Sequence, residues 1–284
     1  MKPPRQYASA AAFRAALEAR LQTIAKAEGI DLQRLRRQIS FDRLLVRLFA
    51  DKNAPWLLKG GYAMELRLQR ARTTKDIDLT VAAGVEGGQA RLLALLQDSA
   101  SVMIDNDFFR FTIGASIMDL EGAPEGGARH PVTASLAGRG FTKFHLDVGL
   151  GDEVVPPIEH ISSRDWLDFA GIAPAVCPAI SREQQFAEKL HAFTKPRDAG
   201  PNSRVKDLVD MALLIQMARI DRSKLEEAVR LTFVRRGTHD LPFELLQPPD
   251  TWQTPYRRLA KECGLTWSMA ESVQAVAELL RSAR

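Results

Sequence analysis

The chain has 284 residues, 45% of them apolar and 26% charged, the balance of a soluble globular protein with room for one large domain or two ordinary ones. Thirty-nine basic against 35 acidic residues leave a net charge of +4, which permits a polyanionic partner without requiring one. Cys177 and Cys263 are isolated, which argues against a disulfide framework and a zinc site, and no apolar run approaches the roughly 18 residues of a membrane helix. A cytoplasmic protein that does not enter a membrane is expected.

In chain order, Phe13, Leu17, Leu21 and Ile24 recur at helical spacing, predicting a helix over Ser9–Ala27 that Gly29 stops. A second helix is predicted over Leu32–Ala50. Its other face carries Arg34, Arg36, Arg37, Arg43 and Arg47, expected to be solvated, with phosphate contact as the alternative. Trp56–Lys59 reads as a short extended run, and Gly60 and Gly61 turn it into a helix from Tyr62 to about Gln69. Ile77–Val81 alternates like a strand, Gln89–Ser101 is helical, and Phe108–Met118 and Phe141–Leu150 are strand-like. Between these two strands Glu121–Gly140 is rich in glycine and proline, with a short extra strand at Val132–Leu136.

After Gly151, prolines punctuate a connecting region and everything beyond reads as helix. Ser181 with Gln184 predicts a capping box opening a helix that runs to about Thr194. Lys195–Ser203 is a loop, and helices follow at Arg204–Ala218, Lys224–Thr232 and from Ser268 to the end. The expected architecture is α+β: an N-terminal lobe with a mixed sheet over residues 1–170 and a helical lobe over 171–284.

The chemistry concentrates in Lys59-Gly60-Gly61 and Arg72-Thr73-Thr74-Lys75-Asp76-Ile77-Asp78. Side chains alternate along a strand, so Asp76 and Asp78 share one face. Two such carboxylates repel unless a cation stands between them, and magnesium, or manganese in its place, takes oxygen ligands of this kind. The glycines permit close backbone approach ahead of a helix N-terminus, whose free N–H groups suit a phosphate. The segment can therefore hold a triphosphate at one end, with Arg72 and Thr74 beside it, and its metal at the other. In Phe141–Leu150 the apolar Phe144, Leu146 and Val148 alternate with Lys143, His145 and Asp147. If this strand neighbours the one bearing Asp76 and Asp78, Asp147 completes a three-carboxylate cluster, as ligand, as base for an acceptor hydroxyl, or as both.

Together, Lys59-Gly60-Gly61, the Arg72–Asp78 run, Asp147, Glu188-Lys189 and Arg204–Asp210 resemble the AbiEii/AbiGii toxin family of nucleotidyltransferases, over roughly Trp56–Leu214. The resemblance implies a polymerase-β-like lobe with a helical lobe closing over a cleft. It also implies that Asp76 and Asp78 bind magnesium, that Lys59 supports the nucleotide or the carboxylates, that Lys189 faces the triphosphate, and that Asp207 holds Lys189 or a basic neighbour. The residues alone say less: Lys189 is a point charge on a capped helix, and Lys206, Asp207 and Asp210 can form an ordinary solvated helix face.

The resemblance further implies a toxin of a toxin–antitoxin pair that transfers a nucleoside monophosphate from an NTP to the 3′ end of a tRNA acceptor stem. A cognate antitoxin is then the partner, and a monomer is expected. Arg235, Arg236, Arg257, Arg258 and Lys261 are candidates to line an RNA path. Alternatives are a protein or small-molecule hydroxyl as acceptor, and a non-catalytic nucleotide- or RNA-binding module. Should an antitoxin act by phosphorylation, the hydroxyls of Thr73, Thr74 and Thr80 are the candidates, since a phosphate there would repel the triphosphate.

Overall fold

A computed structural model describes residues 6–68, 72–81, 88–196, 204–245 and 247–282. Gln69, most of the expected loop at 195–203 and the last two residues lie outside the described residues.

Helix α1 (Ala10–Glu28) is capped by Ser9, whose hydroxyl accepts from the Ala12 N–H, and ends at the left-handed Gly29. Helix α2 (Leu32–Leu48) is capped by Asp31. Strand β1 (Trp56–Lys59), helix α3 (Gly60–Leu68), strand β2 (Asp76–Val81) and helix α4 (Gly88–Ser101) follow. The expected strand at Phe108–Met118 is two pieces, β3 (Phe109–Ile113) and β4 (Met118–Asp119). The glycine- and proline-rich stretch is mostly strand: β5 (Gly127–Leu136) is ten residues long, not a short insert, and hairpins into β6 (Arg139–Leu150). Its alternation of buried and half-buried positions holds through Pro131, because pairing with β6 overrides the local composition.

The proline-punctuated connection holds two further strands, β7 (Glu159–Ser162) and β8 (Val176–Ala179). The remainder is helical: α5 (Arg182–Thr194), α6 (Val205–Met217), α7 (Arg222–Arg236), α8 (Gln253–Cys263) and α9 (Met269–Ser282). Sequence reasoning missed α8.

Among the described residues eight strands form one mixed sheet in the order β3-β5-β6-β2-β1-β8-β7, with β4 paired to β5. β2 runs parallel to β6, whereas β5 is antiparallel to both β3 and β6. The chain divides into two compact units that interleave along the sequence. The first holds residues 1–58, 75–151 and 160–178, and the second holds 59–74, 152–159 and 179–284. In the first unit α1 and α2 bury Phe13, Leu17, Leu21, Leu35 and Ile39 with Phe109, Phe141 and Trp166. The second unit has its own core, built from α3 and α5–α9 around Phe186, Leu190, Leu208, Met211 and Tyr256.

In α2, Arg43 and Arg47 are each only 1% exposed, so neither is a solvated or phosphate-binding charge. Arg47 grips Asp107 through two bonds of 2.7 Å and also donates to the carbonyls of Arg43 and Phe109. Arg43 pairs with Asp42 and donates to the Ala173 carbonyl, while Asp42 also accepts from Ser163 and from the Ala175 N–H. Arg34, Arg36 and Arg37 are half-buried. A buried charge must be paired: Arg47 finds its carboxylate in Asp107, 60 residues away, and Arg43 in its neighbour Asp42.

Candidate active site

In the first unit, Ile77, Leu79 and Val81 of β2 are buried, which turns Asp76 and Asp78 to the opposite, half-buried face. The parallel register with β6 sets Asp76 beside His145 and Asp78 beside Asp147, so these side chains share a face. His145 Nδ1 lies 3.2 Å from an Asp76 carboxylate oxygen. The three expected carboxylates thus stand on two neighbouring strands.

On the far side of β6, the register of β5 sets Arg129 directly opposite Asp147. Its Nε and Nη2 each donate to Asp147 at 2.7 Å, one to each oxygen, and Nη2 also reaches Asp76 at 3.4 Å. The hydrogen bonds to Asp147, with the charges of Asp147, Asp76 and Asp78, hold the guanidinium firmly protonated. Sequence reasoning missed Arg129 because it lies in the glycine-rich stretch. The one available signal was the alternation of His130, Val132 and Ala134 as buried positions, which leaves Arg129 on the other face.

Among the described residues, no three carboxylate, imidazole or thiol side chains stand ready-made as a metal cage. Magnesium is usually bound by one or two carboxylates, with water and substrate phosphates completing its shell. Asp76 and Asp78, on one face of β2, fit that pattern.

In the second unit, Gly60 has φ +67°, a left-handed conformation that suits glycine at the start of α3. A Cβ on Gly61 would meet Thr74 Oγ1 at 2.9 Å, so Thr74 itself makes the close approach to this glycine. Gln185 donates to the Gly60 carbonyl at 2.6 Å. Lys59 contacts Asp152 at 2.5 Å and Glu188 at 3.5 Å, and Arg236 bonds the same two carboxylates. Burial works against charge on Lys59, but Glu188 and Asp152 outweigh it and raise its pKa.

Lys189, the next residue along α5 from Glu188, points into a different network. Its ammonium is 3.1 Å from Asp207 and 2.9 Å from Asp210. Arg72 pairs with Asp210 at 3.1 Å and Arg204 with Asp207 at 3.2 Å. Asp207 and Asp210 are 4% and 1% exposed, so the solvated-face alternative for these two does not hold, whereas Lys206 is exposed. Burial opposes charge on Lys189 and Asp210 alike. Their mutual attraction, with Asp207 and Arg72, prevails, raising the lysine pKa and lowering that of Asp210.

Of the candidate RNA-contacting residues, Arg235, Arg257, Arg258 and Lys261 are exposed, while Arg236 is engaged in the Lys59 network. Of the three threonines, Thr80 is fully buried in β2 and Thr74 is buried, whereas the half-buried Thr73 donates its hydroxyl and its N–H to Glu262.

Asp76, Asp78 and Asp147 thus form a carboxylate set in the first unit, and Lys59 and Lys189 each sit among carboxylates in the second. Residues 43–277 match the family described as nucleotidyl transferase AbiEii toxin, type IV toxin–antitoxin system. The chain belongs to this family of nucleotidyltransferase toxins. Its fold is similar to that of MenT4, a nucleotidyltransferase toxin of Mycobacterium tuberculosis H37Rv, with a TM-score of 0.58 at 14% identity over 95% of this chain and 97% of that one. Two Helicobacter pylori structures are similar at a lower level. One is a putative nucleotidyltransferase, at 15% identity and TM-score 0.39 over 85% and 90% of the two chains. The other is JHP933, at 13% identity and TM-score 0.42 over 85% and 88%. No curated protein matches the sequence. No helix among the described residues is long and apolar enough to cross a membrane.

Proposed function

We propose that the protein transfers a nucleoside monophosphate from an NTP to a hydroxyl at the 3′ end of tRNA, in a reaction that depends on magnesium or manganese. The observation that carries this reading is the shared face of Asp76, Asp78 and Asp147 on two parallel strands, in a chain whose family is nucleotidyltransferase. A divalent ion held by Asp76 and Asp78 would supply the positive charge that a triphosphate needs during displacement.

The acceptor oxygen attacks the α-phosphorus, the bond to the bridging oxygen breaks, and pyrophosphate leaves. Asp147 is the carboxylate we assign to receive the acceptor proton. In the second unit, Arg72, Lys189 and Arg204 gather around Asp207 and Asp210, and these are the cations we assign to anion recognition. Within this network Asp207 orients Lys189. The exposed Arg257, Arg258 and Lys261 on α8 suit a polyanionic acceptor. Family membership implies an antitoxin as partner, and we assign blocked translation as the outcome of tRNA modification.

The test is incubation with magnesium, each radiolabelled NTP in turn and total tRNA, beside an Asp76→Ala/Asp78→Ala variant. Label on tRNA with the wild type alone is expected, and it would name the nucleotide. NTP binding without label on tRNA would redirect the search to protein or small-molecule hydroxyls, and absent NTP binding would leave a non-catalytic module.

A further inference from the structure

Three carboxylates sharing one patch of sheet repel one another, and folding must bring positive charge among them. In the first unit that charge comes from Arg129. The antiparallel register of the β5–β6 hairpin delivers it, setting the residue opposite Asp147. The guanidinium fork takes both oxygens of Asp147 at 2.7 Å, and its Nη2 reaches on to Asp76 at 3.4 Å. We propose that Arg129 is the built-in counter-cation of this cluster and competes with a divalent ion for Asp76 and Asp147. The inference rests on the metal-dependent reading above.

Exposure separates this arginine from the two buried arginine–aspartate pairs of the unit, Arg43–Asp42 and Arg47–Asp107. The Arg129 side chain is 27% exposed and Asp76 29%, whereas Arg43 and Arg47 are 1% exposed. Arg43 and Arg47 cannot leave their partners without stranding a buried charge. Arg129 is open enough to water to withdraw, but Asp147 is only 11% exposed, so the guanidinium leaves readily only when a divalent ion takes over that carboxylate's charge. While it stays, it takes one lone pair on each oxygen of Asp147 and draws on that carboxylate's charge, which weakens it as ligand and as base. Divalent-ion loading and release of the guanidinium from Asp76 are then one event, and the protein without nucleotide holds its metal weakly.

The direction of the effect distinguishes this role from a merely structural one. A residue that only positions Asp147 would, when removed, weaken metal binding or leave it unchanged; a competitor, when removed, strengthens it. The experiment titrates manganese into full-length wild type, Arg129→Gln and Arg129→Lys without nucleotide, reading free Mn2+ by electron paramagnetic resonance. Circular dichroism in EDTA checks folding.

The Gln variant is expected to bind manganese about ten-fold more tightly than wild type, with the Lys variant, which keeps the charge but loses the fork, in between. If the Gln variant fails to fold, the Lys variant must still bind more tightly than wild type. Binding by the Gln variant where wild type shows none would be the strongest support. Equal or weaker binding by folded variants, with wild type binding, would overturn the competitor role and leave metal dependence standing. No binding by any of the three proteins would overturn both.

Discussion

Arg47 and Asp107 show what a charge does when no water can reach it. Asp107 is fully buried and takes both terminal nitrogens of Arg47 while accepting from the Phe109 N–H, and the guanidinium also stacks over the Phe111 ring at 5.2 Å. Removing one partner strands the other in a dry interior, which costs about 3–5 kcal/mol. Asp107→Ala is therefore expected to lower unfolding free energy by that amount in urea denaturation, whereas Asp168→Ala, which removes a half-exposed partner of Arg20, should change it by less than about 1 kcal/mol. Comparable losses for the two variants would contradict the burial argument.

At the scale of elements, α5 carries two ion networks because successive helical residues point about 100° apart. Glu188 faces Lys59 and Arg236 while Lys189 faces Asp207 and Asp210, so the adjacent pair divides between them. The capping box expected at this helix is half made. Ser181 accepts from the Gln184 N–H, but the Gln184 side chain bonds the Val155 N–H and the Glu153 carbonyl instead of reaching back.

The start of α3 is equally constrained. Gly60→Ala would hold an L-residue at φ +67° and is expected to cost about 1–2 kcal/mol. Gly61→Ala meets Thr74 Oγ1 at 2.9 Å, so its loss should shrink when Thr74→Ala is added, which removes that atom. Thermal melts of the single and double variants measure both, and an unchanged loss in the double variant would count against the steric cause.

For the molecule as a whole, the pairing of buried groups predicts how stability responds to pH. His191 is packed between Phe233 and His239, and its Nε2 meets the Thr238 hydroxyl at 2.9 Å. Burial, followed by the charge of Arg236, pushes its pKa down to about 3. The unfolded chain binds this proton near pH 6.5 and the native chain does not, so the stabilisation is complete above pH 6.5 and is lost as pH falls towards 3. His239 is lowered too, by burial first, and acts in the same direction. Asp152 and Asp210 are held below their usual range by their cations, against the pull of burial, so their contributions vanish only in more acidic solution. Stability at pH 5 should therefore lie about 1–2 kcal/mol below that at pH 7.5, and His191→Asn should flatten most of the difference in urea titrations at the two pH values. An undiminished slope in that variant would assign the effect elsewhere.

Where local periodicity governs, the sequence alone determined the outcome. The start of α1 near Ser9, the stop at Gly29, the apolar stripe of α1 and the alternation at the start of β2 follow from the 3.6- and 2-residue repeats and from turn chemistry. The same repeats turned Asp76, Asp78 and Asp147 away from the apolar faces, and the spaced motifs identified the family. Only the tertiary structure decided which charges meet. The partners of Asp147, Lys59 and Arg47 are Arg129, Asp152 and Asp107, at 18, 93 and 60 residues' distance along the chain. Strand order and loop paths bring them together, and neither is encoded in any short window. Burial then makes pairing obligatory, because a lone charge in a dry interior is far costlier than the same charge in water. That is why Arg43 and Arg47, set among other arginines in a basic run, became part of the core.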